Sequence, residues 1–246
     1  MAKPLADRVA LVTGASRGIG YAAALMLARA GAHVVAVART VGGLEELDDA
    51  IRTAGGSATL TPLDMRDYPA LYRMAVALNE RYGRLDVLLG NAAVAGVPSP
   101  LDHIEPKAWD DSFAVNVTAN WHLIRAMDPL LKRSDAGRAV FVTSGIATNP
   151  RAYWAPYSVS KAALDTLVRT YAAETSSTAV RVNLFSPGPT RTRMRAMVMP
   201  GEDPMTLPTP EQVTGKLLEL CLPSFSDTGK IYDFATGKLQ DFQRPA

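Results

Sequence analysis

Tyr157 and Lys161 stand four residues apart in the run Ala155-Pro-Tyr-Ser-Val-Ser-Lys161. If the run is helical, that spacing stacks a phenol and an ammonium on one face, and Pro156 suits the first helical turn, where its missing N–H is no loss. At ~100° per residue, Tyr157, Lys161, Leu164, Val168 and Tyr171 share a narrow stripe, while Asp165, Thr166, Arg169 and Thr170 lie away from it. The pair is therefore expected to point inward. A phenol titrates near ~10 in water, too high to exchange protons readily at neutral pH. A cation ~5 Å away at an effective dielectric of ~20 favours tyrosinate by roughly 3 kcal/mol, about two pKa units. That brings a tyrosine into the range of general acid–base work. The same two residue types at this spacing also occur as ordinary packing, so the elements around them must decide.

Those elements begin with 8–13, a short apolar run of the kind that forms a strand buried on both faces, running directly into Gly14-Ala-Ser-Arg-Gly18-Ile-Gly20. Helical composition follows over 21–30 and stops at Gly31. Strand, glycine turn and helix together present free backbone N–H groups and a helix dipole to a phosphate. The glycines follow Gly-x-x-x-Gly-x-Gly and not the commoner dinucleotide fingerprint, and a turn needed only for tight helix–strand packing would look similar. The second strand, 33–38, ends without the acid that usually holds the adenosine ribose hydroxyls. Arg39 follows it and Arg17 sits in the glycine turn, so two guanidinium groups could converge on a ribose 2′-phosphate, which argues for NADP(H) over NAD(H). An arginine after a strand can equally be a solvated loop residue.

Further along, strands are expected at 57–63, 85–90, 138–143, 180–185 and 230–235, with helices at 44–52, 68–82 and 210–222. One long helix should run from Pro106 to about Met127, with Pro129 ending or kinking it. Strands alternating with helices mean βαβ units and a parallel sheet whose ligands lie at the carboxyl ends of the strands. Asp64 and Met65, Asn91, Ser144, and Pro187 with Gly188 all stand at such ends, and Ser144 precedes Tyr157 by 157 − 144 = 13 residues. Asn116 falls on the apolar side of the long helix, where a buried amide must find partners. Its partners could be its own helix neighbourhood, or a water in a proton relay. Residues 189–210 hold four methionines and three arginines, too irregular for a firm helix, and read as a mobile lid over a substrate site.

Composition excludes several classes. With 246 residues, 48% of them hydrophobic, the chain can bury one sizeable core, and it reads as a single domain. A net charge of +2 without long charge runs indicates no nucleic-acid surface. Cys221 is the single cysteine and the three histidines lack ligand spacing, so neither a disulfide nor a metal site is expected. No segment approaches ~18 uninterrupted apolar residues, and no signal-like stretch precedes Val9, so no membrane partner and a cytoplasmic location are expected.

Thr13-Gly-x-x-x-Gly18-x-Gly20, Asn91-Ala-Ala, Asn116, Ser144, Tyr157-x-x-x-Lys161 and Pro187-Gly188, in this order, resemble the classical short-chain dehydrogenase/reductase family over about residues 6 to 237. The resemblance implies a Rossmann-type doubly wound parallel sheet of about seven strands with helices on both faces. It implies an NADP(H)-dependent oxidoreductase that interconverts a carbonyl and an alcohol, with a small-molecule substrate. Tyr157 would be the acid–base group, Lys161 would lower its pKa and hold the nicotinamide ribose, Ser144 would bond the substrate carbonyl, and Asn116 would place a relay water. Gly14, Ser16, Arg17, Gly18, Ile19 and Gly20 would line the adenosine and pyrophosphate, Arg39 the ribose phosphate, and Asp64 and Met65 the adenine. Asn91 would line the adenosine ribose side, Pro187, Gly188 and Thr190 would also contact the cofactor, and Thr192 would meet the nicotinamide amide. A homodimer or homotetramer built on 106–131 and 157–176 is also implied. Ala93, Thr190 and the C-terminal Phe234-Ala-Thr-Gly237 depart from the family pattern. An NADP-binding regulatory or assembly protein on the same fold is the alternative.

Overall fold

The apolar runs do pair with one another. In the computed structural model, which describes residues 3–241, the strands β1 (Val9–Thr13), β2 (His33–Ala38), β3 (Ser57–Pro62), β4 (Val87–Gly90), β5 (Arg138–Val142), β6 (Arg181–Ser186), β7 (Lys230–Asp233) and β8 (Lys238–Asp241) form one sheet. Its order is β3-β2-β1-β4-β5-β6-β7-β8. β1 to β7 are parallel, and β8 returns antiparallel to β7.

β8 is one strand beyond the seven apolar runs expected to form the sheet. Gly237 takes a left-handed φ of 66°, which lets the chain turn back on itself over 234–237 and pair Asp233 with Lys238. Every residue of β8 is exposed, so it carries no alternation of apolar and polar residues by which the sequence could announce it.

Alternate residues of each strand serve opposite faces. Val9 and Leu11 of β1 join a core with α3 (Tyr68–Tyr82), α5 (Ala119–Leu131) and α6 (Ala155–Glu174). Ala10 and Val12 join another with α1 (Gly18–Arg29), α2 (Val41–Thr53) and α8 (Pro210–Cys221). Helices on both faces of a parallel sheet force its strands to be apolar throughout, as the fully buried β1, β4 and β5 are. The chain winds outward from β1 in both directions, so the order reverses between β1 and β4. A crevice opens there, outside the carboxyl ends of the two strands.

The long helix expected from Pro106 is three pieces. α4 (Pro106–Phe113) passes into a π-helical stretch, Ala114–Thr118, and then into α5. Asn116 sits within the π stretch, whose wider turn breaks the regular hydrogen-bond ladder. Pro129 lies inside α5, whose last residue is Leu131, so it neither ends the helix nor comes earlier than its final turn.

One buried carboxylate sets how β1, β4 and β5 start. Asp86, fully buried, accepts hydrogen bonds from Val9 N at 2.8 Å, Arg8 Nη1 at 3.0 Å, Arg84 Nε at 3.2 Å and Ser134 Oγ at 2.7 Å. Removing it takes an acceptor from four donors, one of them the buried backbone N–H of Val9, although Arg8 keeps Asp135 and Arg84 keeps the Asp7 carbonyl. Asp86→Ala should therefore destabilise the protein by ~3 kcal/mol or more, measured as a lowered midpoint in urea unfolding.

Candidate active site

The crevice between β1 and β4 is closed at its base by a staple. Thr13 Oγ1 accepts from Asn91 N at 2.9 Å and Ala92 N at 3.0 Å, and Asn91 Nδ2 donates to Thr13 O at 2.9 Å. The glycine turn lies directly on top. A Cβ at Gly20 would stand 2.2 Å from Gly14 O and 2.5 Å from Asn91 Nδ2, so the helix can begin this close to the strand only with glycine there. Arg17, in extended backbone, occupies the cap position of α1 and supplies no side-chain cap. The first N–H groups of α1 therefore face the cleft without intrahelical partners, which is the electrostatic arrangement that suits a phosphate.

A cleft of ≈ 1010 Å³ runs from this turn along the carboxyl edge of the sheet. Gly14, Ser16, Arg17, Gly18 and Ile19 line its first part. Gly20 does not; it lies beneath, packed on Gly14 and Asn91. Arg39, Asp64 and Met65 line the side next to β2 and β3. Arg39 Nη1 stands 3.8 Å from Asp64 Oδ2, while Arg66 holds the same carboxylate at 2.8 and 3.1 Å. Arg66 keeps the Asp64 carboxyl down at about 2, so Asp64 is ionised and mostly spent on Arg66. Arg17 and Arg39 are both exposed at this end of the cleft.

The other end gathers the groups able to do chemistry. Ser144, Tyr157 and Lys161 all line it. Tyr157 and Lys161 project from α6, and Ser144 follows β5 by two residues, where its Oγ accepts from Ile146 N at 3.4 Å. Lys161 is 2% exposed. Its Nζ lies 5.7 Å from the centroid of the Tyr157 ring and donates to Val142 O at 2.7 Å. Burial lowers Lys161 to about 8, against the raising effect of Asp165.

Tyr157 behaves differently from the sequence expectation of a lowered phenol. Burial pushes it up to about 12, and the hydrogen bond with Ser144 only partly opposes this. Desolvation of the tyrosinate outweighs the attraction of an ammonium whose nearest bond is to a backbone carbonyl. The phenol here is a protonated acid.

Asn116 is fully buried and outside the cleft. Its Oδ1 accepts from Val94 N at 2.9 Å, and its Nδ2 donates to Val94 O at 2.8 Å and to Ser160 Oγ at 2.9 Å. Its main-chain carbonyl accepts from Asn120 Nδ2 at 2.9 Å. The side chain thus clamps the loop after β4 to the residue preceding Lys161.

Pro187, Gly188, Thr190 and Thr192 line the far wall. Thr190 is buried, its hydroxyl donating to Gly188 O at 3.3 Å, so the exchange of an aliphatic residue for threonine leaves no unpaired hydroxyl. Thr192 Oγ1 accepts from Arg195 N at 3.2 Å and caps α7 (Arg193–Val198), a short helix that the irregular sequence did not disclose. The arginines of 189–210 differ in their commitments. Arg195 forms a two-pronged pair with Glu202 at 2.5 and 2.6 Å, and Arg191 Nη2 donates to Leu207 O at 3.2 Å. Arg193 is exposed on the rim. Of the aromatics before α6, Trp154 lines the cleft, its ring 6.3 Å from that of Tyr157, whereas Tyr153 points away and is 60% exposed. Sequence reasoning passed over Val94, Ile146, Arg151 and Glu202, which complete this end of the cleft. Loop residues carry no periodicity, so nothing in their spacing marks them. No cluster of metal-ligating side chains and no helix long and apolar enough to cross a membrane occurs among the described residues.

Known proteins resemble this chain in sequence and in fold. The short chain dehydrogenase family model matches residues 8–203. The Escherichia coli K12 oxidoreductase YciK is 37% identical over 95% of this chain and 94% of its own length. Among solved structures, a Shigella flexneri 2a short chain dehydrogenase complexed with NADP superposes with a TM-score of 0.91 at 36% identity, covering 95% of this chain and 99% of that one. An Escherichia coli CFT073 short chain dehydrogenase complexed with NADPH gives 0.89 at 36% identity, with 95% and 98% covered. A match over most of the chain, in a fold whose turn, tyrosine and lysine fall in one cleft, makes this chain a member of the short-chain dehydrogenase family of oxidoreductases.

Proposed function

We propose that this protein is an NADP(H)-dependent oxidoreductase that interconverts a carbonyl and an alcohol, with Tyr157 as the proton donor and acceptor. The observation that carries the proposal is the meeting, in one cleft, of an uncapped helix N-terminus with a protonated phenol, a serine hydroxyl and a buried ammonium.

The residues present suit a dinucleotide. Gly20 lets α1 start close against Gly14 and Asn91, and Gly14, Ser16, Gly18 and Ile19 line the cleft above it, which supports backbone approach to the pyrophosphate. Arg17 and Arg39 would hold a ribose 2′-phosphate, Asp64 and Met65 the adenine, and Asn91 the neighbouring ribose side. Pro187, Gly188, Thr190 and Thr192 would wall the nicotinamide; Thr192 keeps its hydroxyl proton to donate, since Oγ1 only accepts in capping α7. The similar proteins solved with NADP and NADPH support the same choice of cofactor.

When bound, the nicotinamide supplies or accepts a hydride. Tyr157 gives its proton to the substrate oxygen as negative charge develops there, and takes one in the reverse direction. Ser144 donates a hydrogen bond to the same oxygen. A preorganised donor of this kind is worth about 10² to 10³ in turnover. Lys161 has three donors, one on Val142 O, leaving two for the cofactor sugar and for stabilising tyrosinate. Asn116 spends its side chain on Val94 and Ser160 and its main-chain carbonyl accepts from Asn120 Nδ2, so a relay water would need the remaining lone pair of that carbonyl. Ile146, Trp154 and Val94, with 189–210 acting as a lid, favour a small molecule with an apolar body near the reacting carbon. Arg195 is spent on Glu202, so this segment does not present all three of its arginines to a substrate.

Three results test the assignment. Tyr157→Phe should cut NADPH-dependent carbonyl reduction by ~10³-fold while NADPH still quenches tryptophan fluorescence with unchanged affinity; unimpaired turnover refutes the role. Lys161 loses its charge as pH rises through about 8, whereas Tyr157 keeps its proton to about 12. The kcat/KM for reduction should hence be level below pH 8 and fall above it, and a profile level to pH 10 contradicts this. Removing both Arg17 and Arg39 by alanine should lower kcat/KM for NADPH by ~10²-fold and leave NADH nearly unaffected; equal losses with both cofactors would reject the 2′-phosphate site.

A further inference from the structure

Two adjacent residues at the end of β5 grip α6 at two points one turn apart. Val142 O accepts from Lys161 Nζ at 2.7 Å, and Thr143 Oγ1 donates to Asp165 Oδ1. Ser144 is the next residue of the chain, two past the end of β5, and Tyr157 is one turn before Lys161 on the helix. These two bonds therefore span the gap between the hydroxyl and the phenol that must meet the same substrate oxygen. Thr143 is 1% exposed and Lys161 2%, and Asp165 is half-buried beside them. Helical spacing alone places Asp165 off the inward stripe, but α6 buries a face wide enough to include it.

A carboxylate is a costly choice for this position if packing were its only purpose. Its neighbours Leu164 and Val168 fill the core with apolar side chains. Asp165 lies in surroundings that penalise its charge and raise it to about 6, opposed by the Thr143 bond and by Lys161 and Arg169. Those two cations, both on its own helix, are the charges that act on it; β5 contributes the Thr143 hydroxyl and the Val142 carbonyl. In return Asp165 raises the pKa of Lys161 against the burial that lowers it.

We propose that Asp165 is a positioning residue, which through Thr143 fixes the Ser144-bearing end of β5 against α6 and through its charge keeps Lys161 an ammonium. It touches neither substrate nor cofactor. The proposal rests on the roles assigned above to Ser144, Tyr157 and Lys161.

Four variants separate its two actions. Asp165→Asn keeps an oxygen for Thr143 and removes the charge, and Asp165→Leu removes both. Thr143→Val removes the hydroxyl and keeps the charge, and Thr143→Ser restores the hydroxyl. Asp165→Leu and Thr143→Val should each lower kcat for NADPH-dependent carbonyl reduction by ~10-fold or more with the KM for NADPH little changed, and Thr143→Ser should recover it. In 13Cε-lysine NMR titrations assigned with Lys161→Met, Asp165→Asn should lower the pKa of Lys161 by about one to two units. Unaltered kcat in Asp165→Leu, or an unmoved Lys161 titration in Asp165→Asn, overturns the proposal, as does a loss of thermal stability alone. The titration needs no substrate. If Tyr157→Phe shows the reaction itself to be misassigned, the Lys161 measurement still decides whether Asp165 governs that ammonium.

Discussion

The structure turns on one buried ammonium. Lys161 is among the largest fully buried side chains of the chain, and a charge taken out of water needs compensating groups around it. Those groups are the end of β5, through Val142 O, the face of the Tyr157 ring, and the carboxyl of Asp165. Each comes from an element that the parallel sheet alone places there. β5 lies centrally, flanked by β4 and β6, so its carboxyl end opens onto the middle of the cleft, and α6 packs across that end. The ammonium is held where a helix and a strand end converge, and the site is built around that convergence.

The same sheet explains why the glycine turn and the Tyr157–Lys161 pair share a cleft. Reversal of strand order between β1 and β4 opens the crevice, and the Thr13–Asn91 staple keeps the two strand ends in register. The glycine turn and α1 sit on one side of the staple, and the loop after β4 on the other. Asn116 then ties that loop to Ser160, the neighbour of Lys161. Hydrogen bonds joined by short covalent stretches, from Thr13 to Asn91 and Ala92 and then from Val94 to Asn116 and Ser160, thus tie the strand bearing the glycine turn to α6 beside Lys161, and each of these polar groups is buried or half-buried. Such groups cost stability when left unpaired, so the chain of contacts rigidifies the cleft as a unit.

Burial also decides the direction of the chemistry available to Tyr157. An ammonium at short range would by itself favour tyrosinate, yet the phenol is pushed up to about 12. Desolvation acts on the whole charge of the tyrosinate, while Lys161 directs a donor at Val142 O and meets the ring only at 5.7 Å. The outcome is a resting acid beside a cation, the protonation state that a donor to a developing alkoxide requires.

What the sequence determined by itself is what local physics determines. The apolar runs fixed seven of the strands, and Gly83, with φ 69°, caps α3 just past the 68–82 helix expected there. The i to i+4 spacing put Tyr157 and Lys161 on one face, and their spacing from Ser144 made the family resemblance legible, because these signals depend only on residues close in the chain. The tertiary structure decided the rest. β8 exists because an exposed segment found an open edge at β7, and the π stretch at 114–118 forms where Asn116 bonds Val94 and Ser160 across elements. Arg195 was neutralised by Glu202, seven residues on, and Asp165 was drawn inward by Thr143, 22 residues distant in sequence. Above all, the balance between a charge and its desolvation depends on depth in the folded protein. Periodicity can say that Lys161 faces inward, but only packing fixes how far from water it and Tyr157 come to lie.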